Sequence, residues 1–115
     1  MMKKRIHLIG IGGTGLSAIA RLLKESGHTV TGSDMQPSSF VDDLREIGIP
    51  VYIGHKAEQI DGADLIVRSS AIPDKNPEVV AAREAGVPVY KRSGFLGSLM
   101  EDKIGIAIAG THGKT

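Results

Sequence analysis

Apolar and polar positions fall in alternating blocks along the chain. Ile6-His7-Leu8-Ile9 is a short, mostly apolar run that reads as a buried strand. His7 within it fits a packed residue better than a ligand. Leu16, Ile19, Ala20 and Leu23 then recur at i, i+3, i+4 and i+7, one face of a helix, over residues 14–26. Gly27 suits the C′ position, where a left-handed conformation costs glycine little. Residues 28–32 read as a second strand ending at Ser33-Asp34, and Pro37-Ser38-Ser39 breaks the chain and offers an N-cap. Phe40, Val41, Leu44 and Ile47 form the apolar side of a second helix, closed by Gly48. Residues 49–53 are a third strand, ended by Gly54-His55 and followed by a short polar segment. Residues 63–67 are a fourth, strongly apolar strand that leaves through Arg68-Ser69-Ser70-Ala71-Ile72. Asn76-Pro77-Glu78 starts a helix with a capping side chain, proline at the first helical position and an acid near the positive end of the dipole. That helix stops at Gly86, and residues 87–90 are a fifth strand. Ser93 offers a cap for a fourth helix to about residue 100, weakened by Gly94 and Gly97, and residues 104–109 are a sixth apolar strand.

One junction occurs twice. Glu46-Ile47-Gly48-Ile49-Pro50-Val51 returns in kind as Glu84-Ala85-Gly86-Val87-Pro88-Val89, a helix stopped by glycine and a strand begun at proline. Strands that alternate with helices, most of them unbroken apolar runs, predict a parallel sheet covered on both faces. The expected fold is α/β: a Rossmann-like, doubly wound parallel sheet of about five strands with helices on both faces. A ligand then belongs beyond the C-terminal strand ends, near the point where strand order reverses.

Composition narrows the function classes. The chain has 115 residues, enough for one core. A formal net charge of +1 gives no whole-chain reason to propose nucleic acid or an anionic membrane as partner. Aromatic residues make up 3% and Trp is absent, which argues against a stacking platform for bases. The absence of Cys excludes disulfide and thiolate chemistry and fits a reducing, cytoplasmic setting. The basic start before an apolar run imitates a signal peptide, but the run breaks at Gly10 and contains His7. No apolar run approaches the ~20 residues needed to cross a bilayer.

The candidate chemistry begins where the first strand meets the first helix. Gly10, Gly12 and Gly15 satisfy G-x-G-x-x-G: a tight turn, close approach of a diphosphate, and close helix–strand packing. Free N–H groups and the helix dipole favour an anion there. A glycine-rich turn that binds nothing satisfies the same pattern. Asp34 follows Gly15 by 19 residues, near the ~20 at which an acid commonly meets a ribose hydroxyl; it fits a capping role at Pro37-Ser38 as well. His55, Ser69, Ser70 and Arg92 also lie at strand ends on the same edge, each with a plain surface or turn role as the alternative. Gly110-Thr111-His112-Gly113-Lys114-Thr115 follows an apolar strand and ends in Gly-Lys-Thr like a P-loop, whose Lys reaches phosphates and whose Thr hydroxyl holds Mg²⁺. Ile108 stands where the usual first glycine would be.

Residues 7–17, Gly32-Ser33-Asp34, Gly54-His55, Ser69-Ser70-Ala71-Ile72, Asn76-Pro77-Glu78 and residues 109–115 together resemble the Mur ligases, motif by motif and in order. The resemblance accounts for the short P-loop, since that family's version is G-T-x-G-K-T. It implies an N-terminal UDP-substrate domain over 1–103, with 104–115 opening a central ATPase domain. By the same resemblance, the rest of that central domain and a C-terminal amino-acid domain are expected beyond these residues.

The nearest branch joins L-alanine to UDP-N-acetylmuramate in peptidoglycan synthesis, using ATP and Mg²⁺ through an acyl phosphate. Carried over, Gly10, Gly12, Gly13, Thr14, Gly15, Leu16 and Ser17 hold the UDP diphosphate. Asp34 and His55 face the uridine, and Ser69, Ser70, Ala71 and Ile72 line the pocket, with Arg92 near the diphosphate or sugar. Gly110, Thr111, His112, Gly113, Lys114 and Thr115 hold ATP, Lys114 as the catalytic residue and Thr115 on Mg²⁺. Leu16 stands where the family often has Met. The chain alone is then expected to bind the UDP-sugar without ligating it and to hold no cofactor tightly. Three other readings stand beside this one: an NAD-binding Rossmann domain, a non-catalytic nucleotide sensor, and the family's peptide-recycling ligase. The P-loop-like tail argues against the first.

Overall fold

A computed structural model describes residues 3–92 of the chain. Five strands form one sheet: β1 (Arg5–Ile9), β2 (Thr29–Asp34), β3 (Val51–Ile53), β4 (Leu65–Arg68) and β5 (Val89–Lys91). Their order is β3-β2-β1-β4-β5, and every pairing is parallel. The chain winds outward from β1 to β3, then returns to the other side of β1. The order therefore reverses between β1 and β4. This is the expected Rossmann-like architecture.

Successive strand side chains point to opposite faces, and the two faces are covered differently. On one, α1 (Thr14–Glu25) and α2 (Ser39–Glu46) pack Leu16, Ile19, Leu23, Val41 and Leu44 against Ile6, Leu8, Val30, Val51, Leu65 and Val67. On the other, α3 (Pro77–Glu84) and a 3₁₀ turn (Ala57–Ile60) bring Val79, Ala82 and Ile60 against Ile9 and Ile66. The polar segment expected after β3 is that 3₁₀ turn, and its Ile60 is buried.

All three helices end alike. Gly27, Gly48 and Gly86 have φ of +94°, +92° and +77°. The residue after each returns its N–H to a carbonyl five positions back: His28 to Leu23, Ile49 to Leu44, Val87 to Ala82. This is the Schellman closure, and it corrects two strand starts. Ile49 and Val87 are apolar because they seal a helix end, so β3 begins at Val51 and β5 at Val89 rather than at 49 and 87. The predicted helix over 93–100, the strand over 104–109, the domain boundary at 103/104 and the P-loop-like tail lie outside the described residues.

Candidate functional site

The turn after β1 is built by backbone bonds. Gly10 and Ile11 donate their N–H groups to the Ser33 carbonyl (2.8 and 3.0 Å), and Gly13 donates to the Gly10 carbonyl (3.1 Å). Gly10 has φ +83°, and a Cβ there would lie 2.9 Å from Ser69 Cβ, so only glycine fits where β1 and β4 part. Gly12 donates its N–H to Asp34 Oδ2 at 2.8 Å. A side chain at Gly12 would collide with that oxygen, also at 2.8 Å, and with Val41 and Ser38.

The loop amides are thus engaged within the protein, and anion-binding capacity moves to the start of α1. Its N-cap, Gly13, supplies no side-chain cap, and the first turn contains no acid. The N–H groups of a helix's first turn have no intrahelical partner, and the dipole adds positive potential. Arg92 lies over this turn: a Cβ on Gly15 would be 3.0 Å from its Cδ and 3.1 Å from its Nε. The third glycine of the fingerprint therefore makes room for a guanidinium. Leu16 and Ser17 turn into the interior, buried to 1% and 5% exposure, so only their backbone faces the turn.

Beside the turn, at the C-terminal edge of the sheet, lies a cavity of about 390 Å³. Gly10, Gly12, Gly13, Asp34, His55, Ser69, Ala71 and Ile72 line it, eight of the residues singled out in the sequence. Met35, Gln36, Pro37 and Ser38 complete the wall; the sequence marked Pro37 and Ser38 only as a chain break and helix cap, and nothing in it singled out Met35 or Gln36. Ser69 accepts the Ala71 N–H on its hydroxyl (3.2 Å) and the Ile72 N–H on its carbonyl (3.0 Å), which shapes the turn after β4. Ser70 is exposed and outside the lining. A second hollow of about 190 Å³, bounded by Arg5, Thr29, Tyr52 and Gln59, contains none of the predicted residues.

Behind the cavity the sheet holds a buried carboxylate. Glu78 enters from the first turn of α3, fully shielded from solvent. His7 Nε2 and the Ser33 hydroxyl (3.0 Å) bond to its Oε1; His55 Nδ1 (2.6 Å) and Gln59 Nε2 (3.3 Å) bond to its Oε2. Burial alone would push this carboxyl up. Hydrogen bonding and charge from His7, with bonds from His55 and Ser33, outweigh burial and hold it below the usual glutamate value. Sequence reasoning placed Glu78 at the helix dipole and missed this role. An acid in the first helical turn predicts an exposed partner for the dipole, and nothing local marks it as buried. Among the described residues no cluster is arranged to hold a metal ion, and no helix is long and apolar enough to cross a membrane.

Comparisons with known proteins find relatives in both sequence and structure. The family described as "Mur ligase family, catalytic domain" matches residues 5–104. The chain is 54% identical over 112 residues to the UDP-N-acetylmuramate–L-alanine ligase of Legionella pneumophila, covering 97% of this chain and 24% of that protein. Among solved structures, it is similar to the UDP-N-acetylmuramate-alanine ligase MurC of Thermotoga maritima, with a TM-score of 0.82 and 35% identity over 85% of this chain and 23% of the other. It is also similar to the UDP-N-acetylmuramate:L-alanyl-gamma-D-glutamyl-meso-diaminopimelate ligase of Neisseria meningitides, with a TM-score of 0.75 and 34% identity over 83% of this chain and 30% of that one.

Proposed function

The chain belongs to the Mur ligase family, and from that membership we propose that it binds UDP-N-acetylmuramate for an ATP-dependent ligase that attaches L-alanine. The observation that carries the reading is the sheet edge. An uncapped helix start under Arg92 adjoins a cavity walled by Gly10, Asp34, His55 and Ile72. The diphosphate rests on the first-turn amides of α1, residues 14–16, with Arg92 offsetting its charge. Asp34 already holds the Gly12 N–H through Oδ2 and turns its Oδ1, 3.4 Å from the Gln36 N–H, to the ribose. Ile72 packs beside the uridine, and Ser69 shapes that wall.

UDP-N-acetylmuramate occurs in the names of both the alanine-adding and the peptide-adding relatives, so it is the best supported element of the assignment. L-alanine follows from the 54% relative. Lys114 and Thr115 are assigned to ATP phosphate and Mg²⁺ on their sequence pattern. The chain spans 24% of the length of that relative, and we expect the reaction to need more than these residues.

Calorimetry on the 115-residue chain tests this. UDP-N-acetylmuramate should bind saturably, and NAD⁺ should not. The reverse preference, or no binding of the UDP-sugar, overturns the assignment. Mixing the chain with UDP-N-acetylmuramate, L-alanine and Mg-ATP should yield no amide.

A further inference from the structure

The segment between β4 and α3, residues 69–76, forms one wall of the cavity through Ser69, Ala71 and Ile72. Ser69 and Ile72 also press on the glycine loop: a Cβ on Gly10 would lie 2.9 Å from Ser69 Cβ and 3.3 Å from Ile72 Cγ1. A shift of this wall therefore reaches the loop directly. The segment's backbone closes it as two separate turns. The first returns the Ile72 N–H to the Ser69 carbonyl at 3.0 Å, and the second the Asn76 N–H to the Pro73 carbonyl at 3.1 Å. Neither bond ties the second turn to the strand.

Arg68 makes that tie. It ends β4 on the α3 face, two positions after Ile66, which packs there. Its Nη1 lies 2.5 Å from Asp74 Oδ1. The partners are unequal: the Arg68 side chain is 6% exposed and that of Asp74 68%. A buried guanidinium is costly without a counter-charge, and Nη1 has no other partner among the described residues. Arg68, by contact and charge, and then Arg83 hold the Asp74 carboxyl below the usual aspartate value, so it is ionised at neutral pH. Arg83 reaches the same oxygen only at 3.5 Å, from a side chain half exposed to water, where an ion pair contributes little. The buried partner is fixed in the sheet, so the exposed one is drawn to it and brings its turn along.

We propose that Arg68 is a positioning residue for ligand binding: from the end of β4 it pins Asp74, so that the wall carrying Ser69, Ala71 and Ile72 is ordered before the UDP-sugar arrives. The inference rests on the UDP-sugar reading of the cavity. Arg68 itself touches no ligand. A wall already fixed has no ordering cost left to meet on binding, and a wall released from the strand must meet it each time.

Calorimetry with UDP-N-acetylmuramate and urea unfolding, both on the 115-residue chain, separate position from stability. Arg68→Met fills the buried space with an apolar chain and leaves Asp74 in water, so the urea midpoint should hold. Affinity should nevertheless fall by about tenfold, the scale of ordering one or two side chains. Asp74→Ala strands the buried charge and should lower both midpoint and affinity. The two variants change charge in opposite directions. If only the field mattered, losing a cation would weaken an anionic ligand and losing an anion would strengthen it. A fall in both assigns the pin. Arg83→Gln removes a cation without the pin and should stay within about twofold. The Ile72 methyl resonance should move in ligand-free Arg68→Met and hold in Arg83→Gln. Unchanged affinity in folded Arg68→Met, tighter binding by Asp74→Ala, or an equal loss in Arg83→Gln overturns the inference and leaves the binding assignment standing. No binding by the unsubstituted chain sinks both. If Asp74→Ala fails to fold, Arg68→Met against Arg83→Gln decides.

Discussion

The two faces of one sheet are made by opposite physics. Under α1 and α2 the interior is aliphatic: Ile6, Leu8, Leu16, Leu23, Val41 and Leu44 interlock without a polar atom to satisfy. Under α3 the same strands turn His7, Thr31 and Ser33 inward, and the helix answers with Glu78. The aliphatic face gains stability in proportion to apolar area removed from water. The polar face gains little net stability from its bonds but loses heavily if one member is missing. What it supplies is position, because a carboxylate bonded from β1, β2 and the loop after β3 fixes those three elements relative to one another.

Truncation on each face should give similar losses with different pH behaviour. Glu78→Ala strips two histidines of their partner and should cost about 3–5 kcal/mol. Leu8→Ala leaves a cavity in a fully buried site and should cost about 2–5 kcal/mol. Urea unfolding measures both. Glu78's folded-state pKa lies below its unfolded value of 4.5, so its contribution is complete above that value and disappears as pH falls through the folded pKa. The Leu8→Ala curve should therefore run parallel to the parent curve at every pH, and Glu78→Gln should flatten the acid limb.

His28 marks a separate, higher step. Burial first, then the charges of Lys4 and Lys3, lowers its pKa below 6.5. The unfolded chain then binds the proton more readily, and stability falls as pH drops through about 6.5. His28→Gln should remove that step and leave the lower one.

The aliphatic face was legible because its signal is periodic and local. Leu16, Ile19, Ala20 and Leu23 announce α1, and the glycine after each helix announces its end. The site was legible at its strand ends, where Gly10, Asp34, His55 and Ser69 meet one cavity. Two things were hidden. The pairing of His7 with Glu78 spans 71 residues, and each residue has an ordinary local explanation, a strand His and a helix-start acid. The partners of the glycine amides were hidden as well. The fingerprint specifies a backbone path without saying that Asp34 already holds the Gly12 N–H.

Arg92 over Gly15 offers a mid-sized test between site and scaffold. Gly15→Ala places a methyl 3.0–3.2 Å from the Arg92 side chain, whose flexible end can move aside. Stability should change by less than about 1 kcal/mol, because the helix-propensity gain of alanine over glycine offsets the crowding. UDP-N-acetylmuramate affinity should fall by about tenfold, read by calorimetry, because the guanidinium leaves the helix start. A stability loss without an affinity loss would assign Arg92 to packing alone.

The smallest contrast compares the helix caps of the two faces. Ser38 accepts the Val41 N–H at 3.2 Å to start α2. It is only half-buried, so water can replace its hydroxyl, and Ser38→Ala should cost about 1 kcal/mol. Asn76 accepts the Glu78 N–H at 2.9 Å to start α3, at 7% exposure. There the freed amide has no water to turn to, and Asn76→Ala should cost about 2 kcal/mol. The difference, read as a shift in urea midpoint at constant slope, follows from what each cap supports. On the aliphatic face a cap ends a helix, and packing absorbs the loss. On the polar face it orients the backbone of the residue that orients His55. Asn76→Ala should therefore also loosen the contact between Glu78 and His55 Nδ1, read as a shift of the His55 ring resonances, which Ser38→Ala should leave in place. Equal costs and equal spectra would mean that the carboxylate holds its place without help from its own backbone.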